Sequence, residues 1–142
     1  MSTFSPRHAI SRAQFFLGLA NDCSASRRED FEAYLEAAII FGRTALHRLK
    51  DEFESHTDWK PWFDSLRGNP SVEFFREHRD FILKEGPPKV GQIIGFQEIT
   101  KASALYFFQP GESANTTVKK HLNEIAALIS DASTRFSQPS AI

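Results

Sequence analysis

The chain has 142 residues, enough for one ordinary domain that buries about two thirds of the surface its unfolded form would expose. A formal charge of −1 and a pI near 6.5 exclude a global basic field, so any nucleic-acid contact must come from a local patch. The single cysteine, Cys23, excludes an intramolecular disulfide and a multi-cysteine zinc centre, and it fits a reducing, cytoplasmic setting.

Near the start, Phe15 to Ala20 is too short an apolar stretch to span a membrane and weak as a signal-peptide core, so neither export nor membrane insertion is expected. Two signals compete to open a first helix. One is Ser5-Pro6. The other is a capping box from Ser11 to Gln14, flanked by Ile10 and Phe15 at staple positions. Either start carries the helix to about Asn21, with Ala13, Phe16, Leu17 and Ala20 facing inward. Ser26-Arg27-Arg28-Glu29 reads as a second capping box, and after it Phe31, Leu35, Ala38, Gly42, Ala45, Leu49 and Phe53 recur at steps of three and four. That spacing predicts a long amphipathic helix. Gly42 lies within its stripe, where a small residue lets a neighbouring helix come close.

Asp58 then caps a short helix carrying Trp59, Trp62, Phe63 and Leu66, with Pro61 tolerated in its first turn. Asn69-Pro70 opens the next helix in favourable order, cap then first-turn proline, and Val72, Phe74, Phe75, His78, Phe81 and Ile82 form its buried face. Gly86-Pro87-Pro88 must end it, because proline cannot continue the hydrogen-bond ladder. From Val90 to Phe108 the period changes. GQIIGFQEI and ALYFF are rich in β-branched and aromatic residues and are separated by Thr100 to Ser103, which predicts a β-hairpin. After Pro110-Gly111, Val118, Leu122, Ile125, Ile129, Ala132 and Phe136 alternate steps of four and three along a final helix, and Ser137 to Ile142 reads as a frayed tail. The expected architecture is mostly α: one helical bundle over residues 1–142, with a small hairpin inserted before the last helix.

The polar residues exclude several chemistries. None of the five histidines has a Glu three residues before it, which sets aside di-iron bundles. There is no His-x-x-x-His, no phosphate-binding Gly-x-x-x-x-Gly-Lys and no Gly-x-Ser-x-Gly elbow, so no metal or cofactor is expected. Arg43 and His47 stand four apart on the long helix, with Lys50 and Glu54 on the same flank. Such a pair can hold a phosphate and move a proton, but a solvated face of helix-spaced charges is the simpler account. His78, set in an apolar stripe, reads first as a core or interface histidine, and with Arg76 it is a candidate binding residue.

The segment FREHRDFILKEGPP holds the strongest signal. Cations near a helix C-terminus complement its dipole, which accounts for Lys84 better than for Arg79. Arg79-Asp80-x-x-x-Lys84 resembles the arginine-polar-x-x-x-histidine motif of HEPN domains, with lysine in place of the histidine. The order of a long FEAYLEAAIIFGRTALHRL helix, a short aromatic segment and then FFREHRDFILKEGPP is similar to HEPN-like proteins over residues 10 to 88. The resemblance implies a helical module that pairs with a second copy, and it implies either a metal-independent ribonuclease or an inactive module that binds RNA or a protein partner. Arg79, Asp80 and Lys84 are then the candidate catalytic set. Five residues at about 100° each put Arg79 and Lys84 about 140° apart, so a site using both needs a second chain or the helix end. A lysine near pKa 10.4 is charged at pH 7, and reaching its neutral form costs about 4–5 kcal/mol, so Lys84 suits a phosphate clamp rather than a base. The leading expectation is a homodimeric interaction module with RNA contact and a degenerate ribonuclease motif. An active ribonuclease is the alternative, and a binder of apolar small ligands lined by some of the fourteen phenylalanines is a third.

Overall fold

Ser5 wins the competition to begin the first helix. Its Oγ accepts a hydrogen bond from the His8 N–H at 3.2 Å, and Pro6 sits at the first helical position, where its missing N–H costs nothing. The computed structural model describes residues 5–85, 91–92, 101–102 and 106–136, with the backbone course alone for 81–85 and 91–92. Helix α1 runs Pro6–Asp22. The Ser11 box therefore lies inside a helix already formed, and the expected staple does not close: Ile10 is buried while Phe15 is 62 % exposed. Ala13, Leu17 and Ala20 face inward as expected, and Phe16 is only half-buried.

Helix α2 (Arg28–Phe53) also departs from its expected cap. The Ser26 hydroxyl meets that of Ser24 at 3.0 Å, so it does not cap the helix, and Arg27 takes the cap position without a side-chain bond to the backbone. Glu29 and Asp30 in the first turn complement the helix dipole, and Arg27 Nε donates to Asp30 Oδ2 at 2.8 Å. The expected stripe from Phe31 to Phe53 is buried in full. In the short helix α3 (Trp59–Asp64), Asp58 makes no side-chain capping bond. Trp59 is buried and packs on Phe63 at 5.1 Å and on Phe136 at 5.7 Å, which closes that end of the bundle.

Gly68 adopts φ +81°, a conformation glycine enters at little cost, and turns the chain into helix α4 (Pro70–Glu85). There the expected cap forms: Asn69 Oδ1 accepts from the N–H groups of Ser71 at 2.9 Å and Val72 at 3.1 Å. Strands β1 (Gly91–Gln92) and β2 (Tyr106–Phe107) pair antiparallel, Gly91 opposite Phe107 and Gln92 opposite Tyr106, as a hairpin requires. The rest of the predicted strands, the Gly86-Pro87-Pro88 break and the tail beyond Phe136 lie outside the described residues. Tyr106 anchors β2 by stacking on Phe31 at 4.8 Å while its hydroxyl donates to Glu32 Oε1 at 2.9 Å. Burial and that bond push its pKa up to about 12. Helix α5 (Ala114–Phe136) starts where the Ser113 hydroxyl accepts from the Thr116 N–H, and it buries the whole predicted stripe from Val118 to Phe136. The protein is thus a mostly α bundle with a short strand pair before the last helix. Among the described residues, no helix is long and apolar enough to cross a membrane.

The α2–α4 crossing depends on Gly42. A Cβ built there would lie 2.5 Å from Cε1 of Phe75, whose ring is fully buried and cannot swing away. Gly42→Ala is expected to lose about 1–2 kcal/mol in urea denaturation, because overpacking outweighs the gain in helix propensity. An unchanged or raised midpoint would contradict the close approach.

Candidate functional site

The close crossing at Gly42 and Phe75 sets two polar flanks side by side. Arg43 follows Gly42, with His47 one turn on; Arg76 follows Phe75, with Arg79 and Asp80 one turn on. Arg79 Nη1 donates to Asp80 Oδ1 at 3.4 Å, and the two side chains remain 37 % and 44 % exposed. Arg76 pairs with Glu73 on its own helix. His78 is half-buried, its ring 4.4 Å from that of Phe74 and 4.7 Å from that of Phe108, an aromatic setting that matches its place in the stripe. Lys84 lies on the same continuous helix as Arg79, so the backbone keeps the two about 140° apart in azimuth. The Lys84 side chain falls outside the described atoms.

Arg43 differs from its expected place on a solvated flank. It is half-buried against α4. Its pKa is lowered, first because burial strips water from the guanidinium; the charges of Arg79 and Arg76 add to the decrease, and those of Asp80 and Glu73 oppose it. Among the described residues, no carboxylate comes within ion-pair distance of Arg43. His47, Lys50 and Glu54 are exposed, as the flank reading expects. The His47 pKa is also lowered, first by partial desolvation and then by Arg43 and Arg79, with Asp51 opposing and Lys50 adding to the decrease. The cluster is therefore a half-open cationic face of Arg43, Arg76 and Arg79, with a histidine at its edge. It can hold an anion in bidentate fashion, and the histidine is neutral enough at pH 7 to accept a proton.

A second polar pair has no sequence signal, since its members lie fifty residues apart. Ser71 Oγ and His121 Nδ1 are 2.7 Å apart, and the imidazole stacks on Phe74 at 4.3 Å. Burial lowers the His121 pKa. Ser71 is only 6 % exposed, and Glu112, the nearby acid, is held by Thr117 and Lys120. The pair reads as a clasp between α4 and α5 rather than a nucleophile with its base. Among the described residues, no cluster of His, Cys, Asp and Glu is arranged to hold a metal ion. No family model matches the chain, and no curated protein or solved structure matches it significantly.

The cluster makes a titration prediction. Because the folded His47 binds its proton less readily than the unfolded one, its contribution to stability is complete above pH 6.5 and is lost as pH falls from 6.5 through the lowered value. NMR titration of His47 should give a pKa below 6.5, and Arg79→Gln should move it upward by removing a repelling charge. A His47 pKa at 6.5 that ignores the substitution would contradict the proximity of α2 and α4 charges.

Proposed function

We propose that the chain is a HEPN-like, cytoplasmic, homodimeric module that binds RNA through the phosphodiester backbone at the α2–α4 face and cleaves it poorly or not at all. One observation carries this reading. Arg43 is desolvated near Asp80, Arg79, Arg76 and Glu73, and no carboxylate among the described residues comes within ion-pair distance of it. A guanidinium kept half-buried without a partner is costly, and a phosphate oxygen is the anion its planar fork suits best. Arg79, with Asp80 to orient it, supplies the second arm of the clamp, and Arg76 and His78 flank it. Lys84 adds charge but not a base. A second copy fits the motif's geometry, because one helix holds Arg79 and Lys84 on different azimuths.

The ribonuclease reading stays alive through His47 rather than Lys84. With its pKa lowered beside two arginines, His47 is mostly neutral at pH 7 and can take a 2′-hydroxyl proton.

Single-stranded RNA incubated with chelator present separates the two. The expected result is salt-dependent binding that weakens about tenfold in Arg43→Gln and in Arg79→Gln, without cleavage. Cleavage that disappears in His47→Gln while binding survives would favour the enzyme. Binding unaffected by either arginine substitution would overturn the site. Sedimentation is expected to report about twice the 16.1 kDa chain mass, and a strictly monomeric species at all concentrations would remove the second copy from the proposal.

A further inference from the structure

Helix α1 carries its charges against its own dipole. The N-terminal end of a helix favours acids and the C-terminal end bases, yet α1 opens on Arg7 and His8, has Arg12 a turn later and closes on Asp22, with no acid in its first turn and no base in its last. Arg7 has a role inside the bundle, since its Nη2 donates to Ser130 Oγ on α5 at 3.5 Å. Asp22 makes no ion pair among the described residues. Within one helix this order costs stability. Beside an antiparallel copy of the same helix, each charged end meets the opposite charge and the opposite end of a dipole.

The outer side of α1 carries a stripe suited to such a neighbour. His8, Ser11, Phe15, Gly18 and Asp22 follow one another at steps of three and four, and all five are exposed. Phe15 at the centre is 62 % exposed, the one large hydrophobic side chain so placed among the described residues. It does not stand alone. Its ring meets that of Phe16 edge to face at 5.4 Å, Phe16 stacks on Phe41 of α2 at 5.7 Å, and the Arg12 guanidinium lies over the Phe41 ring at 5.8 Å. Phe16, Leu19 and Phe41 are half-buried, so apolar surface runs from the stripe onto α2, and contiguous surface of that kind marks an interaction site. Gly18 leaves the backbone bare one turn from Phe15: a Cβ there would meet nothing within 4 Å, so an incoming helix can come close.

We propose that this stripe pairs two copies of the chain, α1 against α1, antiparallel about a two-fold axis at Phe15. The two Phe15 rings meet at the axis, and the small Ser11 and Gly18 let the helices close around them. His8 and Asp22 each stand seven residues, about two turns, from Phe15, so the axis sets Asp22 of each copy beside His8 of the other, with Arg12 on the near side of the same carboxylate. The inference rests on the homodimer reading above and names its contact. Because α4 packs on α2 and α5, the pairing leaves an anion face open on each copy; pairing through α4 is the competing arrangement.

Sedimentation of the full chain across micromolar concentrations, with far-UV circular dichroism as the check on folding, tests it. Phe15→Glu, Asp22→Arg and Arg12→Glu should each raise the dimer dissociation constant at least about tenfold with helix content unchanged, since all three side chains are exposed. An equimolar mixture of Asp22→Arg with Arg12→Glu should regain the dimer that each variant has lost alone, because only the mixed pair sets base against acid at both ends. A dimer that Phe15→Glu leaves intact would overturn the inference while leaving pairing through α4 standing. Variants that are monomeric alone and stay so when mixed would overturn the antiparallel pairing, and a wild-type chain monomeric at every concentration would overturn it together with the homodimer reading. Loss of single-stranded RNA binding in Phe15→Glu at unchanged mass would make RNA the occupant of the stripe and overturn the proposal as well.

Discussion

The contact between Gly42 and Phe75 governs what the rest of this molecule can do. It fixes how closely α4 approaches α2, because a fully buried ring occupies the space a side chain at position 42 would need. The clasp between Ser71 and His121 fixes the start of α4 against α5, and the Asn69 cap fixes where that helix begins. With both ends of the crossing set, the residues flanking the two apolar stripes cannot avoid one another, and Arg43 is pressed toward the charges of α4. A small residue in the core thus has an electrostatic consequence at the surface.

That consequence is expensive to maintain. Removing water from a guanidinium costs free energy unless a partner restores the lost interaction; Arg79 and Arg76 add to the cost by like charge, and Asp80 and Glu73 offset part of it without pairing with Arg43. Their own ion pairs with Asp80 and Glu73 are partly exposed and contribute little stability. A fold selected for stability alone would place an acid opposite Arg43. That Asp80 and Glu73 act on it only from beyond ion-pair distance is the physical reason for reading the face as an anion site.

Much of the bundle was legible in the sequence. The α2 and α5 stripes, the Asn69-Pro70 start and the close approach at Gly42 follow from helix periodicity and backbone chemistry, both local. The failed caps are also local, but they turn on competition. Ser26 is drawn to Ser24, and Ser11 is pre-empted by an earlier start at Ser5, choices that a motif read in isolation does not reveal. What the sequence hid is long-range. Arg43 reads as a solvated residue until the crossing angle of a helix thirty residues downstream is known, while Ser71 and His121 come together only through tertiary packing. The resemblance to the HEPN motif points to Arg79 and Lys84, whereas the geometry makes Arg43 the more telling partner for Arg79.

The claim that Arg43 and Arg79 form one anion clamp is tested most directly by observing both guanidinium groups at once. Nitrogen-resolved NMR of the arginine Nε–H groups, titrated with inorganic phosphate, reports each side chain separately. The account predicts that Arg43 and Arg79 shift together along a single binding curve, and that Gly42→Val, which forces α2 and α4 apart, weakens both responses in parallel. Arg79 responding alone, or the two following unrelated curves, would contradict it.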